Sequence, residues 1–282
     1  MATCSRGSSA CVGVAPIHRT VSPAIWKNAA RYHSAGSFIA GQVIQHNEIE
    51  VLIDDQLISD VFIPNVDEAK NHYDVRSEYT KQCGIALANA LDRNVLRCFL
   101  RAADTSLSGA ALFTGLSPAG TAITNAAMKT DAVVLAAGIF TAAQVLDEND
   151  VPSDQPRFAF VRPAQKYLLA ANKDLLNKDW GGVGSYAKAE IPQVAGVEIV
   201  QTNQLPITDE SADPNVLSKY RGNWSTVAAS VVTPWAAATV KIQDISTEMD
   251  YLVQNQGTLI VSKVLVGHRS LRPECATALK TS

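Results

Sequence analysis

Two runs of β-branched residues near the start of the chain predict strands. Residues 48–53 and 57–63 are rich in Val and Ile, and Asp54-Asp55-Gln56 separates them with the polar composition of a turn. The pattern therefore predicts a β-hairpin. Pro64-Asn65 then predicts the end of the second strand and the start of a helix.

A long amphipathic helix follows in the pattern. No proline occurs between Val66 and Ala102, and one apolar stripe has a four-residue spacing: Leu87, Leu91, Val95 and Phe99. A helix over this range would be about 54 Å long at ~1.5 Å per residue, whereas a compact globule of this chain length is roughly 50 Å across. We therefore expect either an elongated, plate-like molecule or a bend at Gly84.

Mixed helix and strand patterns continue through the rest of the chain, which indicates an α+β fold class. An alanine-rich apolar period predicts a helix from Thr124 to about Leu146. The other predicted elements are a strand at Arg157–Val161, a short helix at Pro163–Ala171, and strands at Val194–Gln201, Val227–Val232, Ala236–Ile245 and Thr258–Val266.

Charge changes sign sharply near residue 38. Residues 1–37 contain basic side chains and no acid, without a helix or strand period, which predicts an extended arm. Residues 38–66 contain acids but no Lys or Arg. We expect these two segments to attract one another between neighbouring molecules.

Composition narrows the possible functions. The 282 residues are 47% hydrophobic and carry a formal net charge of -3, which argues against a protein that neutralises nucleic-acid phosphates over its whole surface. The longest apolar stretch, Val133 to Phe140, is too short to span a bilayer, so no membrane helix is expected. The start of the chain lacks a secretion-signal pattern, which predicts synthesis in the cytosol. Five cysteines without CxxC spacing predict reduced thiols rather than a zinc site or a disulfide framework.

Three patterns could support chemistry, and each has a more ordinary structural explanation. Gly181-Gly182-Val183-Gly184-Ser185 is glycine-rich, yet no strand precedes it, so it predicts a surface loop rather than a nucleotide site. Glu68 with His72, and Asp74 with Glu78, stand one helical turn apart, but a lone His among alternating charges is more typical of a solvated charge network than of a metal site. No known catalytic motif occurs, so we expect no enzyme activity, cofactor or metal.

A row of arginines lies on one face of the long helix. Arg93, Arg97 and Arg101 are spaced i, i+4 and i+8, so they repel one another and require acidic partners. Three arginines without interleaved aromatic residues are too few for a DNA-binding surface. Pairing with carboxylates of the same chain or of a neighbour is therefore favoured.

Two motifs resemble a known family. The stretch Asn71-His72-Tyr73-Asp74-Val75-Arg76-Ser77-Glu78-Tyr79-Thr80 is similar to the start of the long spine helix in the major capsid proteins of T-seven-like short-tailed bacteriophages, which are podoviruses. Gly267-His268, followed by Leu271-Arg272-Pro273-Glu274, resembles the GHxxLRPE motif that closes that family's chain. Ile53-Asp54 with Leu57-Ile58-Ser59-Asp60-Val61 resembles the family's IDxxLxxDV strand pair, so the similarity runs from about Glu50 to Ala276.

The resemblance implies the tailed-phage capsid fold of the HK-ninety-seven type. The expected parts are an N-terminal arm at 1–37, an extended β-hairpin loop at 38–65, a peripheral domain with the spine helix at 66–155, an axial domain at 156–254, and a returning peripheral strand with the C-terminus at 255–282. No crosslinking Lys/Asn pair can be assigned, so we expect the shell to be held by non-covalent burial.

The implied function is that of a major capsid protein, located in the virion capsid and assembled in the host bacterial cytoplasm. It would self-assemble as hexamers and pentamers into an icosahedral phage head that encloses double-stranded DNA without sequence-specific binding. The implied partners are copies of itself, a scaffolding protein during procapsid assembly, and a portal at one vertex, with a decoration protein as a further candidate. The alternative is the shell of an encapsulin-like nanocompartment with the same fold.

The resemblance and the arginine row together give a set of candidate interaction or structural residues. They are Asn71, His72, Tyr73, Asp74, Arg76, Glu78, Tyr79, Arg93, Arg97, Arg101, Gly267, His268, Leu271, Arg272, Pro273 and Glu274.

Overall fold

Among the residues that the structure describes, three sheets and four α-helices form an α+β architecture. The computed structural model describes residues 19–25, 28, 30–39, 41–44, 46–70, 75–104, 119–172 and 193–282. The helices are α1 Asn65–Lys70, α2 Val75–Ala103, α3 Ala132–Glu148 and α4 Pro163–Ala170. The strands are β1 Arg19–Ile25, β2 His46–Leu52, β3 Leu57–Pro64, β4 Thr121–Thr124, β5 Phe158–Val161, β6 Gln193–Val194, β7 Val197–Gln201, β8 Val227–Val232, β9 Ala237–Leu252, β10 Gly257–Ser270 and β11 Ala276–Lys280.

The first two strands form an antiparallel hairpin of their own. β1 pairs with β2 along its whole length, with Val21 opposite Glu50 and Ile25 opposite His46, and neither strand pairs with any other described strand. The hairpin brings part of the basic segment against part of the acidic one. This strand pairing lies within one chain, and the expected attraction between neighbouring molecules stays a prediction.

The predicted hairpin at residues 48–53 and 57–63 is wrong in its pairing, although both strands exist. β2 pairs with β1, whereas β3 pairs with β10 in a different sheet. The reason is that the intervening residues do not close a turn, because the Asp54 N–H donates to the Val266 carbonyl on β10 at 3.1 Å. The expectation of an arm without strands over residues 1–37 is also wrong, because β1 lies within it. The hydrogen bonds of β1 come from β2, more than twenty residues further along the chain.

A three-stranded antiparallel sheet, in the order β3-β10-β9, supports the long helix. Leu87 and Leu91 of the predicted stripe pack with Val264 and Val266 of β10. The helix α2 has 29 residues and is continuous through Gly84, which corresponds to about 44 Å. Residues 71–74, which precede α2, lie outside the described part of the chain.

A six-stranded mixed sheet, in the order β4-β11-β8-β5-β7-β6, holds the main core. In it β11 runs parallel to β4 and antiparallel to β8. Leu135 and Ile139 of α3 and Leu169 of α4 are buried against this sheet, and Leu100 from the end of α2 joins the same cluster. The helix α2 therefore connects the cores beneath the two larger sheets.

The alanine-rich helix begins eight residues later than its apolar period suggests. The Asp131 carboxylate accepts the Val133 N–H at 2.8 Å and caps α3 at Ala132, while Thr121–Thr124 forms β4 instead. The predicted strand at Val194–Gln201 is split into β6 and β7 by a turn at Ala195 and Gly196, both with positive φ. Within the described ranges no helix is long and apolar enough to cross a membrane.

Candidate functional site

The base of the β1–β2 hairpin crosses β10 at Gly267. A Cβ atom at this position would lie closer to the Leu52 carbonyl oxygen than real contacts allow, and 2.8 Å from the Ile53 Cα. Both atoms belong to the backbone, so the chain itself would have to move. The glycine of the second motif is therefore the residue that lets the hairpin leave the sheet at this place.

A polar cluster holds the chain where β2 ends. The cluster consists of Asp54, Lys219, Tyr220 and His268, and we refer to it as the loop-base cluster. The buried Tyr220 hydroxyl donates to Asp54 Oδ2 at 2.5 Å and accepts the His268 N–H at 3.1 Å. Lys219 Nζ forms an ion pair with Asp54 and donates to the Leu52 carbonyl at 3.2 Å. These contacts join the hairpin to the turn Ser218–Tyr220 and to β10.

Two members of the cluster have shifted pKa values. Burial, reinforced by the Asp54 carboxylate beside it, raises the pKa of Tyr220, so this hydroxyl stays protonated. Burial lowers the pKa of His268, with Asp54 opposing the change and Lys219 adding to it. The imidazole is therefore neutral near pH 7. Its Nδ1 lies 2.9 Å from Thr239 Oγ1, and its Nε2 is buried with no hydrogen-bond partner among the described residues.

The remaining residues of the second motif have structural contacts. The Leu271 N–H donates to the Ala236 carbonyl at 2.9 Å. The Arg272 guanidinium lies 5.1 Å from the centroid of the Trp235 ring. Pro273 and Glu274 are buried in a 3₁₀ turn. Burial raises the pKa of Glu274, whose Oε2 has no partner in the described part of the chain.

The three arginines of the predicted row, Arg93, Arg97 and Arg101, have different partners. Arg97 forms a buried ion pair with Glu210 of the same chain at 2.8 Å. Arg93 donates to the side-chain oxygen of Gln204 at 3.3 Å, and Arg101 donates to the Arg221 carbonyl at 2.9 Å. The row therefore attaches the end of α2 to the segment after β7, through one carboxylate, one amide and one backbone carbonyl.

The first motif is described only from Val75 onwards. Asn71, His72, Tyr73 and Asp74 lie outside the described residues, as does the glycine-rich stretch 181–185. Arg76 donates to Thr258 Oγ1 at 3.5 Å, which links α2 to β10. Glu78 accepts from Gln82 at 3.0 Å, and Tyr79 is partly exposed. No cluster of three possible metal ligands is found among the residues that the structure describes.

Sequence reasoning missed most of the loop-base cluster. Asp54 was interpreted as a turn residue because it lies in a polar triplet, although its partners are more than 160 residues away. Lys219 and Tyr220 lie in a polar stretch without helix or strand periodicity, so no local signal marks them. The family resemblance includes Asp54, in the strand pair, and His268, in the second motif, but it predicts no contact between them.

The hairpin and its connection expose large apolar side chains. Ile25 is 65% exposed, Phe38 92%, Ile39 66% and Val43 85%. Side chains of this size, exposed together on one projecting element, are typical of surfaces that another molecule covers. The hairpin is therefore the candidate interaction surface, and the loop-base cluster determines where it points.

Comparisons with known proteins agree on one family. The family model described as Gp10A-like: Major capsid protein matches residues 22–280. The major capsid protein of Escherichia phage T7 is 29% identical over 278 residues, covering 91% of this chain and 80% of that one. The major capsid protein of Enterobacteria phage T3 is 28% identical over 281 residues, covering 91% of this chain and 80% of that one.

Solved structures show the same fold. The capsid structure of the cyanophage P-SCSP1u has 36% identity and a TM-score of 0.84, covering 94% of this chain and 83% of that one. The mature capsid of bacteriophage PhiM1, at 18% identity, matches in fold with a TM-score of 0.78, covering 94% of this chain and 82% of that one. These neighbours confirm the tailed-phage capsid fold, and nothing in them favours a nanocompartment shell. The chain therefore belongs to the Gp10A-like major capsid protein family and is a structural subunit of a phage head, located in the virion capsid.

Proposed function

We propose that the protein assembles as hexamers and pentamers into an icosahedral shell around double-stranded DNA, and that the β1–β2 hairpin is the extended loop that lies on a neighbouring subunit. The observation that carries this proposal is the exposure of Ile25, Phe38, Ile39 and Val43 on an element that no other described sheet supports.

The energetics favour a covered hairpin. A two-stranded hairpin is at best marginally stable in water by itself. Burial of a large apolar side chain contributes about 1.5–3 kcal/mol. Four such side chains amount to several kcal/mol per subunit, repeated at every position of a lattice, so a shell can be stable without covalent crosslinks.

We propose domain boundaries that follow the sheets. The extended loop then comprises residues 19–53, so the expected boundary at residue 37 falls inside it. The peripheral domain comprises α1, α2 and the three-stranded sheet. The axial domain comprises the six-stranded sheet with α3 and α4, because these helices share one core with that sheet. On this division the expected boundary at residue 155 moves to the segment that precedes β4.

The other proposed partners follow from the family resemblance. They are a scaffolding protein during procapsid assembly in the host bacterial cytoplasm, a portal at one vertex and a decoration protein on the shell. The family is a structural one, and we propose that this chain has no enzymatic activity.

Negative-stain electron microscopy of the high-molecular-weight fraction, with and without a candidate scaffolding protein, tests the proposed assembly. We expect shells or capsomer-sized rings from the unaltered protein. The double variant Phe38→Ser, Val43→Ser should leave the subunit folded but abolish regular particles. Val133→Ser, a similar change at an exposed position of α3, is the matched control and should assemble normally.

Two results would count against the assignment of the loop. Normal shells from the double variant would show that the hairpin does not carry the contact. If the unaltered protein stays monomeric both with and without the scaffolding protein, self-assembly itself is contradicted.

A further inference from the structure

A cavity lies where the hairpin base meets the rest of the subunit. It has a volume of about 230 Å³ and is lined by β2, the end of α2, the turn Ser218–Tyr220 and the end of β10. One lining residue, Leu52, is 43% exposed, so the cavity has a solvent-facing side.

Positive charge dominates the walls of the cavity. Arg101, Lys219 and Arg269 come from three different elements, and Glu50 is the one acidic residue among those that line it. Asp54 lies beside Lys219 as its ion-pair partner. Cations therefore exceed carboxylates by one even when Asp54 is counted, in a site where reduced access of water strengthens each charge.

The basic side chains are held in place by contacts with the backbone. Arg269 Nη1 donates to the Glu50 carbonyl at 2.5 Å, Lys219 donates to the Leu52 carbonyl at 3.2 Å, and Arg101 donates to the Arg221 carbonyl at 2.9 Å. A guanidinium has five N–H donors and an ammonium has three, so each group can hold its carbonyl and a ligand together. Fixing the cations beforehand reduces the entropy cost of binding.

The volume selects the class of ligand. Pockets for drug-sized molecules usually measure about 300–1,000 Å³, so this cavity is too small for a nucleotide. One water takes about 30 Å³ of liquid volume, so a tetrahedral oxyanion with a few waters fits.

We propose that this cavity binds a small oxyanion of the phosphate type, held by Arg101, Lys219 and Arg269. The bound ion joins β2, α2, the turn Ser218–Tyr220 and β10, and so fixes the direction in which the hairpin leaves the subunit. Phosphate then stabilises the subunit more than its ionic strength alone explains.

Isothermal titration calorimetry of the full unassembled chain with inorganic phosphate tests the site, with chloride at matched ionic strength as the reference. We expect saturable binding of phosphate and none of chloride. Arg101→Gln and Arg269→Gln should each weaken phosphate binding about tenfold or more, since each removes a charge-assisted contact. Arg93→Gln is the control, because it removes the same charge from the same helix as Arg101 but lies outside the cavity lining.

A second measurement does not depend on the folding of the variants. In the unaltered protein, phosphate should raise the Tm more than chloride does at matched ionic strength, because it binds the folded subunit. An oligonucleotide without terminal phosphates should not displace phosphate, because an internal diester carries a nucleoside on either side and a cavity of about 230 Å³ cannot enclose it.

Three results would overturn the proposal. They are equal heats with phosphate and chloride, unchanged phosphate affinity in both cavity variants, and an equal change of the Tm with phosphate and with chloride at matched ionic strength. Displacement of phosphate by the oligonucleotide would replace the free ion by a nucleic-acid phosphate as the ligand.

Discussion

The close approach at Gly267 gives a sharp mutational prediction. Gly267→Ala places a methyl group against the Leu52 carbonyl and 2.8 Å from the Ile53 Cα. Because both neighbours are backbone atoms, no side chain can rotate away. The base of the hairpin has to move off β10, which weakens the hydrogen bond from the Asp54 N–H to the Val266 carbonyl.

The expected magnitude follows from these contacts. Forcing an extra methyl group into a closely packed site typically costs about 1–3 kcal/mol. For a chain of this length, that loss in the free energy of unfolding lowers the Tm by roughly 2–10 °C. The displaced hairpin should also reduce the yield of regular particles.

Gly84→Ala provides a matched control with the opposite sign. Gly84 lies inside α2, and an added Cβ there would meet nothing within 4 Å. Alanine in a helix interior is favoured over glycine by about 0.5–1 kcal/mol, so this variant should melt slightly higher. Differential scanning calorimetry of the unassembled chain compares the two variants. If Gly267→Ala has the same Tm as the unaltered protein, the predicted steric clash is refuted. A lower Tm for Gly84→Ala would refute the reasoning as well.

Three further predictions concern buried polar groups. Tyr220→Phe should cost about 1–3 kcal/mol in urea unfolding, because two buried groups lose the hydroxyl that joins them, and an unchanged midpoint would contradict this. Arg97→Met should cost about 3–5 kcal/mol, whereas Arg97→Met with Glu210→Met should recover much of the loss, since the single change leaves a buried carboxylate unpaired. Glu274→Gln tests a pH dependence. Burial raises the folded pKa of this carboxyl above its ordinary value of 4.5, so the unaltered protein should lose stability as pH rises from there through the folded pKa. The variant should lack that fall in a Tm series from pH 4 to 7, and parallel curves for the two proteins would exclude the assignment.

Elements with their own periodic pattern were predictable from sequence. The stripe from Leu87 to Phe99 predicted α2, because apolar residues that recur about once per helical turn lie on one face of a helix. This periodicity can be read from the local sequence alone. The strand Val227–Val232 was found because its continuous run of β-branched and small residues suits a strand buried on both faces.

Pairing between distant segments could not be derived in the same way. The pairing of β2 depends on whether Asp54 lies in a turn between β2 and β3 or is bound to β10. Asp54 is held by contacts with Lys219, Tyr220 and Val266, which are far away in the sequence. The short strand Ala276–Lys280 shows the same limit, because its five residues form a strand only between β4 and β8. The family motifs include Asp54, Gly267 and His268 of the candidate site, but which of these residues touch one another could not be predicted from the motifs.

The strand order of the six-stranded sheet has a consequence for how the subunit is made. β11 stands between β4 and β8, and Thr277 pairs with Thr121 across most of the chain. Such long-range pairing makes folding slow, because the loop must close before its contacts contribute. On the ribosome, β4 and β8 emerge well before the strand that joins them, so the sheet cannot close until residue 280 has left the exit tunnel. Translation thus delays completion of the subunit, and a nascent chain has no finished surface to offer to a growing lattice.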